Sequence, residues 1–304
     1  MAQWFTYREN TMTNYILLLI SILVEVGKAV TYNIFSKDKK GNPSDLHMMN
    51  FATMLVAGIG LLPFADFSVF PSVFTILLGV LFGILTISGA FCNMKALSLG
   101  PVSYTQLIGC SSMIIPAFSG AIFWQEDLSI GHIIAVVLLL GCFFFSSDSK
   151  GDNKSANMKW LLFALLLFAF TGSIGITQKV QQTSAYAAEA SWFLIIALIT
   201  ASIISLFIWL TQTKGEHKSE RKALLDPKLI GMFLFIGFVI AFTNKVNLYL
   251  SGVMPSIIFF PLVNGGALLL TVLAGFVIFK EKLSKKQSLG MALGAAAVLL
   301  LCFA

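Results

Sequence analysis

Ten long apolar stretches, separated by short polar segments, organise this chain. They cover about residues 14–35, 46–64, 74–95, 102–124, 130–145, 158–180, 188–210, 229–250, 255–279 and 287–303. A helix needs about 20 apolar residues to cross a hydrocarbon core, so each stretch reads as a membrane-spanning helix, the fifth being the shortest. The connections are turn-like, as in the polar runs 37–43 and 148–153. The longest, 211–228, is too small for a domain of its own, so any ligand site is expected among the helices. The predicted fold is an all-α integral membrane protein with ten transmembrane helices.

Composition agrees. The chain is 57% hydrophobic and 11% charged, where a soluble domain carries about 25% charged residues. A net charge of +6 does not point to nucleic acid, because the basic residues are scattered through the short connections. Fifteen of the 20 Lys and Arg fall at the odd-numbered connections, while Arg8 and Lys179 fall on the other side. The positive-inside rule then predicts that both termini are extracytoplasmic. The first stretch contains Glu25 and Lys28 and lacks a small-residue cleavage site, so it is expected to be a retained helix and not a signal peptide. Cys92, Cys110, Cys142 and Cys302 lie in apolar stretches without metal-ligand spacing and are expected to be inert.

An internal repeat is also visible. Asn93 to Pro101 and Asn247 to Pro255 both run from Asn to Pro and open an apolar span, and both spans end on a Glu followed by Leu-Ser, at Glu126-Asp127-Leu128-Ser129 and Glu281-Lys282-Leu283-Ser284. The serines also suit the N-cap of the next helix. A unit of five helices is odd, so the second copy, 151–304, is expected upside down relative to the first, 1–150. Inverted repeats are a common transporter architecture.

These residues resemble the ten-helix, EamA-like branch of the drug/metabolite transporter superfamily, in which each repeat closes with an apolar span, a Glu followed closely by Leu, and a short glycine-containing helix. The pattern occurs here twice, at Glu126 to Gly141 and Glu281 to Gly294. The segment Ile22 to Gly27 is also similar to the first helix of the small multidrug resistance proteins, whose matching Glu exchanges protons and cations. Phe170 stands where the second repeat would carry the counterpart of Glu25, and Lys28 is foreign to the small-protein pattern. The resemblance implies a secondary transporter of a small metabolite or drug-like solute, an exporter working by alternating access in a bacterial inner (plasma) membrane. It implies no cofactor, metal or nucleic acid. The expected partners are a small-molecule solute and membrane lipid, with the chain a monomer or a homodimer. An uncoupled facilitator and a non-transporting structural or receptor protein are the alternatives. A membrane enzyme is disfavoured because His47, His132 and His217 are isolated and no HExxH or P-loop motif occurs.

Candidate solute or coupling residues follow from polarity inside spans. Of the 14 Asp and Glu residues, Glu25 alone falls near the middle of a span, and burying it together with Lys28 as separate charges would cost about 5–7 kcal/mol. Ser21, Glu25, Lys28 and Tyr32 follow i, i+4, i+7, i+11 spacing and form one polar stripe. Glu25 is therefore expected either to couple proton and solute movement or to form a permanent ion pair with Lys28. Gln106, Gln178, Asn244, Asn247 and Asn264 are the further binding candidates. Gly109 and Pro116 in the fourth span, with Pro261, Gly265 and Gly266 in the ninth, are the expected sites of bending or close packing. Lys95 and Lys245 are expected to snorkel toward the interface. Trp124, Trp160, Trp192 and Trp209 read as interfacial anchors. The pairs Gly79/Gly83 and Gly290/Gly294 form GxxxG patterns suited to helix packing or dimerisation.

Overall fold

The computed structural model describes residues 2–36, 43–68, 70–100, 102–146, 158–212, 227–279 and 285–303. The protein is an all-α integral membrane protein, and no strand occurs among the described residues. In chain order the helices are α1 (Ala2–Ser36), α2 (Pro43–Gly60), α3 (Val73–Leu99), α4 (Val102–Ser111), α5 (Ile114–Trp124), α6 (Ile130–Ser146), α7 (Met158–Thr183), α8 (Ala190–Gln212), α9 (Pro227–Val253), α10 (Ser256–Phe279) and α11 (Lys285–Phe303). The predicted spans map onto these elements one for one, except that the fourth is broken into α4 and α5. Among the described residues seven spans are both long and apolar enough to cross a membrane, and α6 is a shorter apolar helix.

The break has a local cause. Ser111 and Ser112 donate their hydroxyls to the carbonyls of Leu107 and Gly109, competing with backbone donors. The backbone tightens into i→i−3 bonds at Ser112, Met113 and Ile115, and Pro116 then has no N–H to restore the α-helical ladder. The ninth span behaves differently. Pro261 lies inside α10, which continues from Ser256 to Phe279 without a turn. Apart from the residue that opens the helix, no hydroxyl side chain precedes Pro261 in α10 to compete for its carbonyls, so removing one donor does not break it.

The chain forms two compact units. One comprises residues 1–26, 88–179 and 249–304, and the other residues 27–87 and 180–248. Each draws on both halves of the sequence, and α1, α3, α7 and α9 each begin in one unit and end in the other.

In the second unit α2 packs on α8. Ser202 donates its hydroxyl to the Phe51 carbonyl at 3.0 Å, and Gly58 lies against Ile199. Helix α3 also reaches α8 closely, because Gly79 and Gly83 face the backbone carbonyls of Phe193 and Ala197. The carboxylate of Glu189 accepts the backbone N–H and hydroxyl of Ser72 at 2.8 and 2.7 Å and so caps the start of α3.

In the first unit α11 packs on α6 and α10, with Gly294 against Cys142 and Leu269. Gly79 and Gly83 of one GxxxG pattern and Gly294 of the other therefore contribute to contacts inside the chain. Cys92, Cys110 and Cys142 form no disulfide, while the side chain of Cys302 lies outside the described residues.

Several sequence-based expectations are corrected. Trp160 and Trp209 are buried, not interfacial. The indole N–H of Trp160 donates to the Thr105 hydroxyl at 2.9 Å, and its ring fills the space that Gly100 leaves. The ammonium of Lys245 lies 3.6 Å from the centre of the Phe64 ring at the end of the second span, a cation–π contact. Lys179, counted as a connection residue, is inside α7 and buried.

Candidate functional site

Helices α5, α7 and α10 meet in the first unit through side chains too small to hold them apart. Gly172 of α7 faces Ile115, and Gly175 one turn later faces Pro116 and Phe260. A Cβ at Gly175 would lie 2.6 Å from the Pro116 Cβ and 2.8 Å from Phe260. Pro116 thus acts as a packing residue just beyond the break in the fourth span. Gly109 lies on the other side of that break, where a Cβ would meet Leu167 at an ordinary 3.5 Å.

One further turn along α7, Lys179 reaches a polar cluster that sequence reasoning did not assemble. Its ammonium lies 2.7 Å from Glu126 Oε1, both side chains being largely buried, and donates to the Met254 carbonyl at 3.2 Å. The other carboxylate oxygen of Glu126 accepts the Ser256 backbone N–H at 2.6 Å, while the Ser256 hydroxyl donates to Oε1 at 3.2 Å. Met254 follows α9 and Ser256 opens α10. The arrangement therefore places the ammonium at the negative end of one helix and the carboxylate at the positive end of the next. Met254 and Ser256 are buried, so their polar backbone groups need partners in place of water.

Local backbone geometry presents Glu126 correctly. Gln125 adopts a left-handed conformation with φ 53° and caps α5 by donating its N–H to the Gly120 carbonyl. Gly120 must stay small. A Cβ there would run into the Glu126 carboxylate and stand 2.7 Å from the Ser256 Cβ. The Glu of the repeated Glu-x-Leu-Ser pattern was legible as a signature, but its partner Lys179 lies 53 residues away with no local signal in the sequence. The counterpart Glu281 lies outside the described residues.

The predicted site residues distribute as follows. Glu25 is half-buried on α1 in the first unit, and Lys28, also half-buried, belongs to the second. Tyr32 lies in α1, with its side chain outside the described residues. Ser21 is buried, and Ile22 beside it packs on Gly266 of α10. Asn264 is half-buried and donates its amide to the Phe260 carbonyl at 2.8 Å. Gly265 packs on Leu139, and Pro261 is buried. Gln178 is buried next to Lys179 in the chain, whereas Gln106 is exposed on α4. In the second unit Asn244 and Asn247 are half-buried on α9, and Asn244 donates its amide to the Ile240 carbonyl at 2.8 Å.

Residues 14–147 match the EamA-like transporter family. A Haemophilus influenzae protein of undescribed function is 25% identical over 193 residues, a span of 63% of this chain and 63% of that protein, so the chain matches less than two thirds of this relative's length. A Latilactobacillus sakei protein named "Putative ribose uptake protein RbsU" is 28% identical over 215 residues, 65% of this chain and 67% of that protein. A solved crystal structure is similar with a TM-score of 0.72 at 14% identity, covering 95% of this chain and 96% of that one. That likeness is one of fold.

Proposed function

We propose, taking the EamA-like segment at residues 14–147 as the premise, that this chain is a secondary transporter moving a small polar solute across the membrane by alternating access. The carrying observation is the break at Ser112–Met113. An apolar span is interrupted there inside protein, beside a proline seated on a glycine of a neighbouring helix. Interrupted helices buried in protein are the form that solute and ion sites take in secondary transporters. The halves 1–150 and 151–304 enter this reading as inverted repeats, with the basic connections cytoplasmic.

In this reading Glu25, Lys28, Tyr32, Gln106, Gln178, Asn244, Asn247 and Asn264 handle the solute or the coupling ion. Asn244 and Asn264 each commit an amide N–H to their own helix. Each amide retains a second N–H and an oxygen acceptor, a combination that suits a hydroxyl-bearing solute. Glu25 is the residue through which proton and solute movement would be coupled, with Lys28 as its alternative partner.

The direction expected from resemblance is export. The relative named for ribose uptake favours a second reading, import of a neutral sugar. Counterflow in proteoliposomes containing the purified chain tests both. Vesicles preloaded with unlabelled D-ribose should accumulate labelled ribose transiently if a sugar is the solute. A panel of amino acids, amines and nucleosides run in the same way examines the export reading. Absence of counterflow with every solute would remove the transporter reading.

A further inference from the structure

The Glu126–Lys179 cluster has the donor set of a cation site. A carboxylate oxygen lies 2.7 Å from the Lys179 ammonium, the Met254 carbonyl at the end of α9 lies 3.2 Å from it, and the Ser256 hydroxyl bonds to that same carboxylate oxygen. Backbone carbonyls at helix ends and carboxylates are the ligands that hold alkali cations inside transporters. The charge at the centre is a compact ammonium on a flexible stem. We propose that Glu126, the Met254 carbonyl and the Ser256 hydroxyl form a monovalent-cation site whose resident cation is the tethered ammonium of Lys179.

Three observations favour this over an interchangeable surface pair. The cluster is buried, with side-chain exposures of 6% for Lys179 and 14% for Glu126. Removing one charge from such a pair leaves the other uncompensated, so a replacement charge has a strong driving force to enter. The orientation is prescribed, because the second carboxylate oxygen is held by the Ser256 N–H at 2.6 Å. Glu126 therefore stays at the start of α10 when the ammonium is withdrawn. Finally, the lysine enters from α7 one turn beyond Gly175, so truncating it opens a stem-sized space from the α7 side without removing any of the oxygen donors. An alkali ion with water completing its shell would occupy that space.

The consequence is that the native chain carries its own cation here and needs none from solution, whereas a variant lacking the amine becomes dependent on an alkali ion. Purified wild type, Lys179→Ala, Lys179→Ser and the double variant Glu126→Gln/Lys179→Ala are melted in NaCl, KCl and choline chloride at equal ionic strength. Wild type should melt alike in all three. The two Lys179 variants should melt about 2 °C higher in NaCl or KCl than in choline chloride, given a cation about tenfold above its Kd. The double variant, lacking the carboxylate, should lose that difference. Equal melting of both Lys179 variants in all salts would overturn the proposal, as would a cation-specific shift retained in the double variant. Failure of both variants to fold even in NaCl or KCl also overturns it, since an alkali ion should then stand in for the ammonium. Melting does not depend on the transport reading. A flux assay of Lys179→Ala with and without Na+ rests on that reading, so its failure alone leaves the site assignment intact.

Discussion

Gly175 of α7 and Pro116 of α5 are in direct contact, and the contact exists because residue 175 has no side chain. A Cβ at 175 would stand 2.6 Å from the Pro116 Cβ and 2.8 Å from Phe260, closer than packed carbons tolerate. Since α5 and α10 both press on this one position, neither can yield without disturbing the other. Gly175→Ala should therefore destabilise the protein by about 1–3 kcal/mol. Gly27→Ala provides the contrast, because nothing lies within 4 Å of its added methyl. It should be neutral, or stabilising by up to about 1 kcal/mol through helix propensity. Thermal melting of the two variants in one detergent checks the pair, and equal losses would refute this account of the α5–α7 contact.

The Trp160–Thr105 hydrogen bond ties α7 to α4 inside the first unit. Trp160→Phe keeps most of the ring and loses the N–H, at an expected cost of about 1 kcal/mol. Trp160→Ala also empties the space beside Gly100 and should cost about 3–5 kcal/mol. A double-mutant cycle with Thr105→Val isolates the bond. A coupling near zero would mean that indole burial alone carries the contact.

Glu25 distinguishes coupled from uncoupled transport. In the coupled reading Glu25→Gln folds normally but loses the pH dependence of solute flux in liposomes. If Glu25 instead forms a permanent pair with Lys28, Glu25→Gln should be destabilised and Lys28→Met should partly restore it. Normal flux at every pH would remove Glu25 from the site altogether.

The break at Ser112–Met113 is expected to absorb part of the conformational change, because its i→i−3 bonds and the missing Pro116 donor leave the local ladder weak. Pro116→Ala restores a donor and should slow flux severalfold while raising or preserving the melting temperature. An unchanged flux would assign Pro116 to packing alone. Gly265→Leu tests α10 in the same way, but a Cβ there already meets Leu139 at 2.6 Å, so its main expected effect is overpacking.

Orientation is tested separately. Reporters active on only one side of the membrane, fused to each terminus, should both report an extracytoplasmic location if the basic connections face the cytoplasm. Cytoplasmic activity at both ends would invert the assignment.

The spans and the helical fold were determined by the sequence alone, because the length of an apolar stretch against the thickness of a bilayer is a one-dimensional quantity. The α9–α10 turn around Met254 and the short α6 were likewise visible, being marked by local chemistry. The break in the fourth span was half visible. Pro116 announced a disturbance, but its site at Ser112–Met113 depended on which carbonyls the serine hydroxyls took. Only the tertiary structure decided that Gly175 seats Pro116, that Trp160 is buried, and that Lys179 is held by Glu126 and Met254. A lysine or tryptophan near the end of an apolar stretch has the same local sequence whether it faces the interface or a neighbouring helix. What separates the two outcomes is the rotation and packing of helices far apart in the chain, which set whether a charge meets water or an oppositely charged partner.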